Sequence, residues 1–151
     1  MTIEKIETEF IIDDGFPSPK IISNSNNLYL NFKVNDENYD TITLKFLNHH
    51  LYKIGYLGNE TLYYHPYSIY GINSSEIYLI KDSDWINELK EIDKNHPYFN
   101  EDKWYSLNHY VITFHDDLFE CIAKSFEITN DINFDIIVLL KKLLAIEKLS
   151  Y

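Results

Sequence analysis

The sequence contains no arginine: all 13 of its basic residues are lysine. The planar fork that grips phosphate or carboxylate with two parallel hydrogen bonds is therefore missing. Cysteine occurs once, as Cys121, which rules out an intrachain disulfide and points to a reducing compartment. Glycine and proline number four each, too few for a low-complexity chain. There is no glycine-rich phosphate loop, no CxxC pair and no HExxH. The longest apolar run, Ile136 to Leu140, is closed by Lys141 and Lys142. A membrane-spanning helix needs about 20 such residues. Residues Met1 to Glu7 are polar and acidic, without the basic start and apolar stretch of a secretion signal. These absences together predict a cytoplasmic protein that needs no cofactor and holds no metal.

What is present suits one globular domain over residues 1–151. The apolar fraction is 45%, and 13 Tyr with 9 Phe exclude disorder. The net charge of −11 repels nucleic acid and anionic membrane, and favours a basic protein partner.

The first half reads as strands. Leu28, Leu30, Phe32 and Val34 alternate with polar positions, as do Ile42, Leu44 and Phe46. Asn35 to Asn38 between them supply turn chemistry, so a hairpin is predicted. Residues 3–12 predict a further strand, ended by Asp13-Asp14-Gly15 and the Pro17/Pro19 loop, and 50–57 and 76–80 predict two more. After Asp82 or Ser83 as N-cap, Trp85, Ile86, Leu89 and Ile92 take helical spacing, and His96-Pro97 ends that helix. Asn100 is placed to cap a short helix carrying Trp104. Tyr110, Ile112 and Phe114 return to period two, and Leu118 to Phe126 reads as the returning strand. A helix over residues 131–148 would bury Ile132, Ile136, Ile137, Leu140, Leu143 and Leu144. The predicted fold class is therefore α+β: an antiparallel sheet with helices packed on one face and a long C-terminal helix.

The segment His109 to Cys121 is the richest in side chains that carry chemistry. A two-residue turn at Asp116-Asp117 would set Thr113 opposite Glu120 and His109 opposite Lys124. Tyr110, Ile112, Phe114, Phe119, Cys121 and Ala123 would then share the apolar face. Cys121 would point into the core as a small hydrophobe. His109, His115, Asp116 and Glu120 would be the catalytic set of a small metal-dependent or His/carboxylate hydrolase, because imidazole and carboxylate serve both acid–base work and divalent metals. Their spacing matches no metal signature.

The second feature is a run of tyrosines: Tyr52, Tyr56, Tyr63, Tyr64, Tyr67 and Tyr70. Tyrosine gives contact area at small entropic cost and keeps a polar tip, which suits interfaces. Acidic residues gather nearby in sequence over Asp82 to Asp102. The partner-binding candidates are accordingly Tyr63, Tyr64, Tyr67, Asp82, Asp84, Glu88, Asp116 and Asp117.

His65-Pro66-Tyr67, Ser83-Asp84-Trp85-Ile86 with Leu89, His96-Pro97, His109-Tyr110, Thr113-Phe114-His115-Asp116 and Phe119-Glu120-Cys121-Ile122-Ala123 together resemble a group of short uncharacterised bacterial proteins. That group has no established activity, so the resemblance brings no catalytic residue with it. By size and acidity alone, the chain is similar in class to the cytoplasmic immunity proteins that neutralise bacterial toxins. The expected function is an acidic binding module that occludes a basic toxin. The alternatives are the hydrolase and a structural or regulatory subunit.

Overall fold

Alternating apolar and polar residues give a strand one face to bury, and in this chain two sheets bury those faces against each other. In a computed structural model that describes residues 1–15, 18–38 and 40–148, nine strands form two antiparallel sheets. The strands are β1 (Thr2–Lys5), β2 (Lys20–Ser23), β3 (Asn27–Lys33), β4 (Thr41–Leu47), β5 (Leu51–Gly55), β6 (Ile77–Lys81), β7 (Asn108–Thr113), β8 (Leu118–Ala123) and β9 (Ser125–Ile128). One sheet runs β1-β6-β7-β8-β5 and the other β2-β3-β4-β9. Leu28, Leu30, Phe32, Leu44 and Phe46 from the four-stranded sheet meet Ile77, Tyr110, Ile112, Phe119 and Cys121 from the five-stranded one. Phe46 is the hub, with the rings of Tyr110, Phe119 and Phe126 at 5.5–5.7 Å.

This arrangement corrects the expectation of one sheet with helices on one face and a long buried C-terminal helix. The helices are α1 (Asn59–Leu62), α2 (Asp84–Asp93), α3 (Glu101–Tyr105) and α4 (Phe134–Lys148). Among the described residues no helix is packed lengthwise on a sheet face: α1 buries only Leu62 and α4 only Phe134. Ile136, Leu140 and Leu144 of the expected stripe are each more than half exposed. Leu143's side chain, like Pro17 of the expected loop, lies outside the described residues. The physical reason is on the sheets. Their inner faces are already covered by one another. The outer face of β3 and β4 pairs Asn31 with Thr43 and Lys33 with Thr41, offering a helix little apolar surface to cover.

The β7–β8 hairpin also differs in register. Thr113 stands opposite Leu118, Val111 opposite Glu120 and His109 opposite Ile122, with Phe114 to Asp117 as a four-residue loop. Relative to the two-residue turn, the pairing slips by two. A slip of two preserves the pleat, so the apolar face is the one the alternation predicts. The return strand is split: β8 belongs to one sheet, and after Lys124 the chain continues as β9 in the other.

The outer face of the five-stranded sheet is covered by the irregular stretch between β5 and β6. Leu62 and Ile72 are buried there against Tyr78, Ile80, Val111 and Leu118. That stretch is pinned at Gly58, where a Cβ would come within 2.7 Å of the His115 carbonyl oxygen. The neighbouring Asn59 N–H donates to the same oxygen at 2.9 Å.

Candidate functional site

Two groups of residues stand out on this outer face: a buried polar network and an exposed tyrosine segment beside it. The network starts from alternation. On β7 and β8 the positions that turn from the core are His109, Val111 and Thr113 with Leu118, Glu120 and Ile122, so a histidine and a glutamate are carried to the outer face. The register sets them diagonally, and His109 Nε2 lies 2.8 Å from Glu120 Oε2. Lys53 of β5, directly opposite Glu120, reaches the other carboxylate oxygen at 3.0 Å. Tyr67, from a 3-10 turn over Pro66–Tyr70, donates its hydroxyl to Oε2 at 3.2 Å. On the far side of the imidazole, Ser83 Oγ meets His109 Nδ1 at 2.8 Å. Ser83 is also the N-cap of α2 and accepts the Ile86 N–H at 3.2 Å. The Trp85 ring stands edge-on to His109 at 5.2 Å, with the Lys53 ammonium 4.3 Å from its centre.

The electrostatics follow from this geometry. Burial by itself would push the Glu120 carboxyl up, but hydrogen bonds from His109 and Lys53, with the lysine's charge, hold it below its ordinary value. A carboxylate only accepts, so His109 Nε2 carries the proton shared with it. In the neutral ring Nδ1 is then the acceptor for the Ser83 hydroxyl. Tyr67 is raised well above its ordinary value by burial first and then by the Glu120 charge, with a smaller contribution from Asp84. Tyr67 and Ser83, the N-cap of α2, both bond to the His109–Glu120 pair, which sets the start of α2 beside Tyr67.

Hydroxyl, imidazole and carboxylate in series are the parts of a proton relay. Here Ser83 is 3% exposed and His109 is fully buried. Each polar atom is taken by a neighbour: the serine oxygen by a helix N-terminus, both ring nitrogens, and both carboxylate oxygens. Such a network ties β5, β7, β8, the 3-10 turn and the start of α2 together, and it turns the Ser83 hydroxyl away from solvent.

The candidates of the hydrolase alternative therefore divide. His109 and Glu120 are joined in the network. His115 and Asp116 lie in the β7–β8 loop, with His115 Nδ1 3.0 Å from Asp116 Oδ1. Among the described residues, no group of three or more His, Cys, Asp or Glu side chains is arranged to hold a metal ion. Cys121 is buried in the core, and that burial raises its thiol far above the ordinary value.

The partner-binding candidates divide as well. Tyr63 and Tyr64 are 80% and 82% exposed, their rings edge-to-face at 5.5 Å. Asp82, Asp84 and Glu88 are exposed around the first turns of α2. Tyr67 is turned inward onto Glu120, and Asp116 and Asp117 are half-buried. Lys53, Ser83 and Trp85 are network members that the sequence patterns do not connect to His109 and Glu120. Ser83 carries a legible N-cap signal, but its bond to His109 spans 26 positions along the chain. The Lys53–Glu120 pair depends on β5 joining β8, which no local pattern announces.

Comparison of the chain with protein-family models, with curated proteins and with solved structures finds no match. Among the described residues no helix is long and apolar enough to cross a membrane.

Proposed function

We propose that the protein is a binding module that engages a basic protein partner, acting as an immunity-type inhibitor that occludes a toxin in the cytoplasm. The observation that carries this reading is the exposed Tyr63–Tyr64 pair, whose segment meets the acidic start of α2 where Tyr67 and Ser83 both bond to the His109–Glu120 pair. The two tyrosines supply contact area with polar tips. Asp82, Asp84 and Glu88 supply the charge that steers a cationic surface into place. The buried network beneath serves the reading as a rigid support, because Tyr67 fixes the segment to the sheet through Glu120.

The test is capture of partners on the immobilised chain, with identification by mass spectrometry, at low and high salt. One basic protein should be enriched, and it should be lost at high salt and with Tyr63→Ala/Tyr64→Ala. Enrichment indifferent to both salt and that double substitution removes the reading, as does the absence of any enriched protein. Co-expression with the captured protein then checks inhibition directly, by survival of cells that the partner alone would kill.

A further inference from the structure

An edge strand presents unpaired amides and carbonyls, and proteins usually blunt it with charge, proline or a bulge. The edges of the two sheets are β1, β5, β2 and β9. Strand β1 carries Glu4 and Lys5, and β9 carries Glu127, ion-paired with Lys45. Strand β2 carries Lys20, paired with Asp135. Strand β5 is different. All five of its residues are exposed, it is regular, and Leu51, Tyr52 and Ile54 stand about 40% open to solvent. Its one charge, Lys53, is drawn back across its own sheet onto Glu120. Tyr56, just beyond the strand, is 81% exposed.

Two further observations say what fits this edge. From Thr41 to Asn59 the sequence has no Asp or Glu, in a chain whose net charge is −11. Two copies repel each other over most of their surfaces, and this edge is a place where they meet without opposed carboxylates. The order of residues is also self-complementary about Ile54. In an antiparallel pairing centred there, Ile54 faces Ile54 of the second copy, Tyr52 faces Tyr56, and Lys53 faces Gly55. Aromatic meets aromatic, and each lysine meets a residue with no side chain while keeping its own Glu120. Lys53 and Gly55 lie on the outer face with Glu120, so Tyr52, Ile54 and Tyr56 share the other face, where Tyr52 already stacks on Phe119 at 6.4 Å.

We propose that two copies of this chain associate edge to edge through β5, in antiparallel register about Ile54, joining their five-stranded sheets into one of ten strands. This interface uses none of Tyr63, Tyr64, Asp82, Asp84 and Glu88, and it stands or falls independently of the toxin-binding reading. A ladder of about five residues a side is small beside a standard interface, so the association is weak and concentration-dependent.

Sedimentation of the full chain over a range of concentrations is the first test. A monomer–dimer equilibrium is expected, weakened at least tenfold by Ile54→Lys, which places two ammonium groups face to face on the two-fold axis. Because Ile54 is partly exposed, the variant should keep its circular dichroism spectrum and thermal midpoint. The register is tested with Ile54→Cys, since residues directly opposite in an antiparallel pair have Cα atoms about 4.5–5.5 Å apart, within disulfide range. Mild oxidation should give a covalent dimer of this variant. Cys121 stands directly opposite Tyr52 on the neighbouring strand, within disulfide range of a cysteine there, so both cysteine variants are made with Cys121→Ala. Tyr52→Cys should give none, because its two copies would lie ~13 Å apart in this register. A monomer at every concentration overturns the proposal, as does a dimer that Ile54→Lys leaves intact. Equal cross-linking through positions 52 and 54 overturns the register.

Discussion

Tyr67 and the Tyr63–Tyr64 pair belong to one short stretch of chain, yet they lead opposite lives. Tyr67 lies half-buried with its hydroxyl on Glu120, while Tyr63 and Tyr64 project into solvent. Residue type is the same, so it does not decide the outcome. A phenol goes inside where a fixed acceptor meets its hydroxyl, because an unmet buried hydroxyl costs about 1–3 kcal/mol. Glu120 provides that acceptor at one place only. The inward tyrosine is a fastening and the outward pair is free to be a contact surface, a division of labour set by a single carboxylate.

The comparison breaks most completely if that carboxylate is removed. Glu120→Ala should destabilise the protein by about 1–3 kcal/mol in denaturant titration, since it leaves the buried His109 Nε2–H and the Tyr67 hydroxyl without their acceptor. Loss of under 1 kcal/mol would mean that the network does not hold the segment down. The same carboxylate gives a pH dependence with a definite sign. Its folded-state value lies below the ordinary 4.5, so its stabilisation is present in full above that pH. It is lost as the pH falls through the lower folded value, and Glu120→Gln should flatten acid unfolding in that window. Tyr67→Phe removes one hydroxyl and should cost about 1 kcal/mol. It should also speed proteolysis within residues 56–70 while leaving the sheets intact. Smallest of all, Tyr63→Ala and Tyr64→Ala should each shift stability by no more than about 0.5 kcal/mol. Any effect on partner capture is then a matter of contact and not of folding.

Much of the β-structure was legible because it is written in period two. The β3–β4 hairpin, β7 and the apolar face of β8 follow from alternation alone, and a slip of two residues in the hairpin left that face unchanged. The caps of α2 and α3 were legible too, as Ser83 and Asn100. In both His-Pro pairs the histidine caps locally, His65 Nδ1 accepting from the Tyr67 N–H and His96 Nδ1 from the Tyr98 N–H, each at 3.1 Å. Helical spacing misled at the C-terminus. It reports that one side of a helix is apolar and is silent on whether a surface exists to receive it. The division of strands between two sheets was not legible either, because Leu118 to Ile128 is one extended run whose break at Lys124 depends on partners far away in sequence. For the network, the hairpin supplied His109 and Glu120, while Lys53 and Ser83 were placed by pairings that only the fold determines.

That break at Lys124 has a mechanical meaning. The Lys124 N–H already donates to Leu47 of β4, at 3.0 Å, while the preceding residue still pairs with β7. One linking residue thus stitches the layers together covalently and by hydrogen bond, and neither layer can peel away without dragging a strand out of the other. Slow amide exchange in β3, β4, β7 and β8 should therefore be governed by a single opening event shared by both layers.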